Sequence, residues 1–143
     1  MSAFTPQSAL AHVVIDFHCD SGTLHVIGAD GLLHLVAVVG EFPPPVMEAI
    51  QTIPVGKGLA GLAASRKCAV TVCNLQSDTS GDVRPGAKAT GMEGAITVPC
   101  LASDGAVVGV LGVACRAART YSDHEAAALT ACARVLVPIL CPS

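Results

Sequence analysis

The sequence predicts an α+β domain in which helices pack on an antiparallel sheet. Three observations lead there. Two pairs of β-rich runs are each joined near an Asp-Gly dipeptide, Asp30-Gly31 and Asp104-Gly105, and such a joint between apolar runs marks a hairpin, which fixes antiparallel pairing. Helical periodicity with capping residues stands at both ends of the chain. Hydrophobic residues make up 52% of the 143 positions and charged ones 13%, enough apolar material for one core and too little polarity for disorder.

Thr5-Pro6 reads as an N-cap followed by proline at the first helical position, and Leu10, Val13, Val14 and Phe17 recur at three-to-four spacing, so the first helix is expected over about residues 6–18. Thr23 to Ile27 and Leu32 to Val39 form the first hairpin. Pro43-Pro44-Pro45 ends the sheet pattern, and a short helix carrying Val46, Met47 and Ile50 follows, ending near Thr52. The run Ile53-Pro54-Val55-Gly56-Lys57-Gly58-Leu59-Ala60-Gly61 is a glycine-rich turn entering an Ala/Leu helix that stops at Arg66-Lys67, where basic residues suit the negative end of the dipole. Ala69 to Val72 is a strand. Asn74 to Gly94 is a long Gly, Asp, Ser and Pro-rich loop, a kind that in a compact domain is often functional. Ala95 to Ala102 and Ala106 to Cys115 make the second hairpin, with Gly109 and Gly112 admitting close approach of another backbone. Ser122 and Glu125 form a capping box for a last helix whose Leu129, Cys132, Ala133, Leu136 and Leu140 share a face, kinked or ended by Pro138.

Charge and cysteine usage narrow the function classes. A net charge of −3 with eight basic residues scattered along the chain, none adjacent but Arg66-Lys67, argues against a nucleic-acid partner. No apolar run reaches membrane-spanning length, and the N-terminus lacks the pattern of a secretory leader, so a cytoplasmic protein is expected with no membrane association. The seven cysteines are odd in number, lack Cys-x-x-Cys spacing and mostly sit in apolar stretches, where cysteine behaves as a small hydrophobe. The long loop that holds Asp78 and Asp82 contains no histidine, so no acid–base apparatus is visible in the sequence. His25 and His34 face each other across the first hairpin if its loop is Gly28 to Gly31; two ligands alone make a weak metal site, both read as solvent-facing strand residues, and no metal is expected.

Taken together, Leu24–Gly31 with Leu33–Gly40, Ile53–Gly61, Ile96-Thr97-Val98-Pro99, and Gly105–Gly112 followed by Tyr121-Ser122-Asp123-His124-Glu125 resemble the GAF domain, a sensory module of signalling proteins, over residues 6–140. The resemblance implies a central antiparallel sheet with the terminal helices on one face and pocket-forming helices and loops on the other. It also implies a small molecule in that pocket, dimerisation through the terminal helices, and a signalling partner such as a sensor kinase.

Within the family the residues point to a sensor rather than an enzyme. Free methionine-(R)-sulfoxide reductases carry one cysteine where this chain has Ala60 and their catalytic one where it reads Ala87-Lys88-Ala89-Thr90-Gly91. The Asn-Lys-Phe-Asp-Glu signature of cyclic-nucleotide binders is missing, and His18-Cys19 reverses the bilin order. Haem would ask for a pocket histidine in the loop or pocket helices, so no cofactor is expected. The turn before the Ala/Leu helix resembles that of nitrate-receptor members, whose main-chain amides hold a small anion. Unpaired N–H groups at a helix start suit such a ligand, which makes Leu59, Ala60 and Gly61 the first candidates, followed by Thr97 as a polar group on an apolar strand and by Cys73 and Met92 at the loop ends. The glycines also admit a plain tight turn. Two alternatives stay open: a thiol-dependent reductase or redox sensor, requiring two cysteines close together at the pocket, and a ligand-free interaction module.

Overall fold

The computed structural model describes residues 5–78 and 85–140. In chain order it contains α1 (Pro6–Asp16), β1 (Ser21–Ile27), β2 (Leu33–Val39), α2 (Pro44–Ala49), β3 (Thr52–Ile53), α3 (Gly58–Arg66), β4 (Val70–Val72), a 3-10 helix (Pro85–Thr90), β5 (Gly94–Leu101), β6 (Val107–Cys115) and α4 (Asp123–Leu140). All strand pairs are antiparallel, and the six strands lie in the order β3-β2-β1-β6-β5-β4. The predicted α+β class is therefore the observed one. No described helix is long and apolar enough to cross a membrane.

Local chemistry explains the boundaries. Thr5 caps α1 by accepting from the Ser8 amide, and the Ser8 hydroxyl accepts from the Thr5 amide at 2.9 Å. The helix ends at Asp16, two residues before the expected point, because the chain turns there. His18 adopts φ +54°, its amide bonds to the Ile15 carbonyl, and the Cys19 amide bonds to Val14. These two bonds form the terminating motif that normally places glycine where His18 stands. At the other end Glu125 accepts from the Ser122 amide and the Ser122 hydroxyl accepts from the Glu125 amide, as the capping-box reading predicted. The last helix continues through Pro138 to Leu140.

The central strands have unlike faces. Leu24, Ile96, Val98, Leu111 and Val113 pack with Leu10, Val13 and Val14 of α1 and Leu129, Ala133 and Leu136 of α4 into the main core. On the other face Leu33, Ile53 and Val110 meet Ala63 and Ala64 of α3. One irregularity makes this possible. Leu24 pairs with Ala37 while His25 pairs with Leu35, so Val36 is an extra residue that bulges out of β2. Such an insertion reverses the alternation, so Ala37 faces the terminal helices while Leu33, four residues earlier, faces α3.

Three segments differ from the sequence expectation. Thr52 and Ile53 form a sixth strand, pairing with His34 and Leu33, where the sequence suggested only the end of a helix and a turn. Part of the long loop is regular, as the 3-10 helix, and anchors itself through buried Leu75 and Met92. Finally, the first hairpin closes through a five-residue loop. Gly28 donates to Leu32 and the Asp30 carboxylate accepts from the Leu32 amide at 3.0 Å, so His34 stands opposite Val26 and not opposite His25.

The left-handed conformation of His18 generates a prediction. A non-glycine residue there costs about 1–2 kcal/mol, partly offset by the larger unfolded-state entropy of glycine. His18→Gly is expected to stabilise the protein by on the order of 0.5–1 kcal/mol, read as a higher urea midpoint with unchanged slope.

Candidate functional site

A cavity of about 390 Å³ lies between the sheet and the layer made by α2, the start of α3 and the end of the long loop. Its floor is set by small residues at matching positions of three strands. Thr97 of β5 pairs with Gly112 of β6, which pairs with Thr23 of β1; one step along, Ala95, Ala114 and Ser21 are matched in the same way. A Cβ on Gly112 would stand 2.8 Å from the Thr97 methyl, so glycine keeps this floor open. Phe42, Val46 and Ile50 cover one side, and Leu75 and Met92 close another.

The wall that carries Lys57, Gly58, Leu59 and Ala60 is the start of α3. Gly56 and Gly58 adopt φ of +94° and +69°, and the Gly56 amide bonds back to the Gly61 carbonyl at 2.8 Å. No side chain of the N-cap Lys57 bonds to the helix start. The Thr97 hydroxyl donates to the Leu59 carbonyl at 3.1 Å, which fastens the first turn of α3 to β5.

The sequence candidates thus separate. Leu59, Ala60, Met92 and Thr97 line the cavity. Gly61 lies behind the wall, where a Cβ would collide with the Pro54 carbonyl, so its part is to permit the tight turn. Cys73 is exposed beyond β4, its sulfur accepting from the Thr120 hydroxyl at 3.6 Å, and is not among the lining residues. Asp82 and Cys141 lie outside the described residues.

His25 is a cavity residue that the sequence reading does not include among the candidates. It was expected to face solvent, yet it is 1% exposed and lines the cavity, because β1 is a central strand flanked by β2 and β6. Its Nε2 is 2.8 Å from the Ile50 carbonyl oxygen. A carbonyl only accepts, so Nε2 carries the proton and Nδ1 of the neutral ring is an acceptor. That Nδ1 is buried without a hydrogen-bond partner. Burial holds the imidazole pKa below its ordinary value, against the opposing effect of the Ile50 bond. The signal in the sequence was a histidine two residues from Thr23 in an apolar strand, hence on the same face. His34, by contrast, is half-exposed and pairs with Asp30 at 2.9 Å.

The sequence pattern of the GAF domain family matches residues 7–139. The chain belongs to this family. Among solved structures the GAF domain resembles the type II free methionine-R-sulfoxide reductase from Thermoplasma acidophilum, at 21% identity and a TM-score of 0.76 over 94% of this chain and 88% of that one. It also resembles the free methionine-R-sulfoxide reductase from Neisseria meningitidis, at 22% identity and a TM-score of 0.74 over 93% and 74% of the two chains. The GAF domain of the Acinetobacter phosphoenolpyruvate-protein phosphotransferase aligns with a TM-score of 0.77 at 18% identity, over 97% and 84%. Among curated proteins no sequence matches. At these identities the likeness is one of fold, shared by signalling modules and enzymes alike.

The buried neutral His25 makes stability depend on pH. Its folded pKa lies below the ordinary 6.5, so the unfolded chain binds this proton first. The contribution is fully present above about pH 6.5 and is lost as pH falls through the folded value. Urea unfolding at stepped pH is expected to show a decline below that point, with a shallower decline in His25→Gln.

Proposed function

We propose that this GAF domain is a sensory module that binds a small metabolite in the cavity against His25 and passes its occupancy on through the terminal helices. The carrying observation is the unpartnered Nδ1 of His25 in the lining. A buried acceptor left unpaired costs roughly 1–3 kcal/mol, a cost that a ligand O–H or N–H removes. Opposite, the backbone of Gly58, Leu59 and Ala60 stands at the positive end of α3 and favours a small anionic group. A small carboxylate that also carries a hydroxyl or amino group satisfies both walls, and the apolar lining holds its carbon skeleton. Thr97 positions the helix start, Met92 closes the side, and Gly61 sets the turn from behind.

The output side of this reading rests on α1 and α4. Ile15 is 71% and Val135 69% exposed, and Ala128, Ala131, Val135 and Pro138 continue an exposed small apolar stripe along α4. Such a stripe suits a second copy of the chain or the helix of a signalling protein such as a sensor kinase. The odd number and irregular spacing of the cysteines suit a reducing, cytoplasmic setting.

A panel of nitrate, formate, 2-oxo acids, hydroxy acids, amino acids, cyclic nucleotides and free methionine sulfoxide tests the proposal by thermal unfolding. A ligand at 100 times its Kd adds roughly 2.7 kcal/mol, a midpoint rise on the order of 5–10 °C for a domain of this size. His25→Leu is expected to weaken that ligand about tenfold or more, and Gly112→Val, which fills the floor, to abolish its binding. No rise with any compound, or a rise that His25→Leu leaves intact, would overturn the reading. Turnover of methionine sulfoxide would replace it by the reductase one, which requires a thiol at the cavity.

A further inference from the structure

Among the described residues two thiols meet, on the opposite face of the sheet from the cavity. Cys19, at the turn after α1, and Cys115, the last residue of β6, are 96 positions apart in sequence, yet their sulfurs are 3.3 Å apart. The backbone brings them there. The left-handed His18 turns Cys19 back over the sheet, and the Asp20 amide donates to the Ala114 carbonyl at 2.9 Å, which extends the β1–β6 ladder up to the pair. Arg119 Nη1 stands 3.4 Å from the Cys115 sulfur and 3.6 Å from that of Cys19, and the Tyr121 hydroxyl is 3.5 Å from the first and 3.7 Å from the second. Arg119 is itself held by the Phe17 carbonyl at 2.7 Å and by Glu125 at 2.6 Å.

We propose that Cys19 and Cys115 form a reversible dithiol–disulfide site that exchanges with low-molecular-weight disulfides and, when oxidised, staples the turn after α1 to the end of β6. This does not depend on what the cavity binds. The chemistry closes without another reactant. Half-buried Cys19, the reachable sulfur, loses its proton and attacks one sulfur of a disulfide RSSR, forming Cys19–S–S–R and releasing RS⁻, which takes up a proton. Cys115 then loses its proton and attacks the Cys19 sulfur, releasing the second RS⁻. Two protein thiols are oxidised by two electrons, and RSSR is reduced to two RSH. Arg119 offsets the thiolate charge at each step. Burial pushes the Cys19 thiol up to about 12, so the attacking thiol rests protonated and exchange is slow at neutral pH. Buried Cys100, raised to about 12 by the same cause, has no such partner among the described residues.

The test uses the folded protein carrying Cys68→Ser and Cys73→Ser, which removes the exposed competing thiols, equilibrated in buffers of glutathione disulfide and glutathione. The expected product is lighter by two hydrogen atoms, holds a Cys19–Cys115 link by peptide mapping, melts several degrees higher and reverts in excess glutathione. Adding Cys115→Ser should stop the reaction at a glutathione adduct on Cys19. Unchanged protein, or a link that forms only in denaturant, or one joining other cysteines, would overturn the assignment. Because the unsubstituted pair is read directly, misfolding of the Cys115→Ser variant would not hide the result.

Discussion

The β1–β6 ladder is the constraint on which the rest depends. Its register places Leu24 beside Leu111 on one face and Thr23 beside Gly112 on the other, with Ser21 matched to Ala114. Large residues on one side bury against α1 and α4, each worth roughly 1.5–3 kcal/mol when fully removed from water. Small residues on the other side leave a hollow. A void costs the contacts its lining forgoes, so a sheet hollow on one face has to be secured from the other. The terminal helices are therefore part of the cavity's existence without touching it.

The same ladder decides what His25 does. Regular alternation carries it to the face of Thr23, and the central place of β1 takes it out of water. A leucine there would need no partner. Histidine needs two, and the fold supplies one, the Ile50 carbonyl at the end of α2. That bond joins the cavity's floor to its cover and at the same time fixes the tautomer, so the ring presents an acceptor and not a donor. Polarity at the site is thus set by backbone placement, while the apolar bulk of the lining sets only size.

Most elements were legible in the sequence because their signals are local. The Thr5 cap, the Ser122–Glu125 box, the two hairpins and the glycine turn before Leu59 each depend on residues a few positions apart. What was not legible depends on pairing between distant segments. The two-residue β3 is a strand only because Leu33 and His34 offer an edge. The bulge at Val36 has no glycine or proline to mark it, and the five-residue loop, one longer than Gly28 to Gly31, moves His34 away from the position opposite His25. Of the six candidate ligand residues, Leu59 and Ala60 follow from helix-start chemistry, Thr97 from strand polarity and Met92 from its place at a loop end, and these four line the cavity; Gly61 and Cys73 carry the same local signals but lie elsewhere. The Cys19–Cys115 approach has no sequence signature, since 96 residues separate the two.

Arg119 ties these distant pieces together. Its amide donates to the Cys73 carbonyl beyond β4, its guanidinium lies over the Tyr121 ring at 4.6 Å, and its two terminal nitrogens reach the end of α1 and the capping carboxylate of α4. Glu125 is fully engaged, one oxygen accepting from the Ser122 amide and the other from Arg119; those two interactions, the backbone one first, hold its carboxyl below the ordinary range. The start of α4 is therefore fixed by the same guanidinium that contacts both thiols. Under the two proposals, oxidation at the sulfurs would bear on α1 and α4 through this side chain, and a molecule in the cavity would do so through the small floor residues of β1 and β6. Both proposed routes end on the same two helices, because those helices cover the sheet face that carries Leu24, Ile96, Val98, Leu111 and Val113.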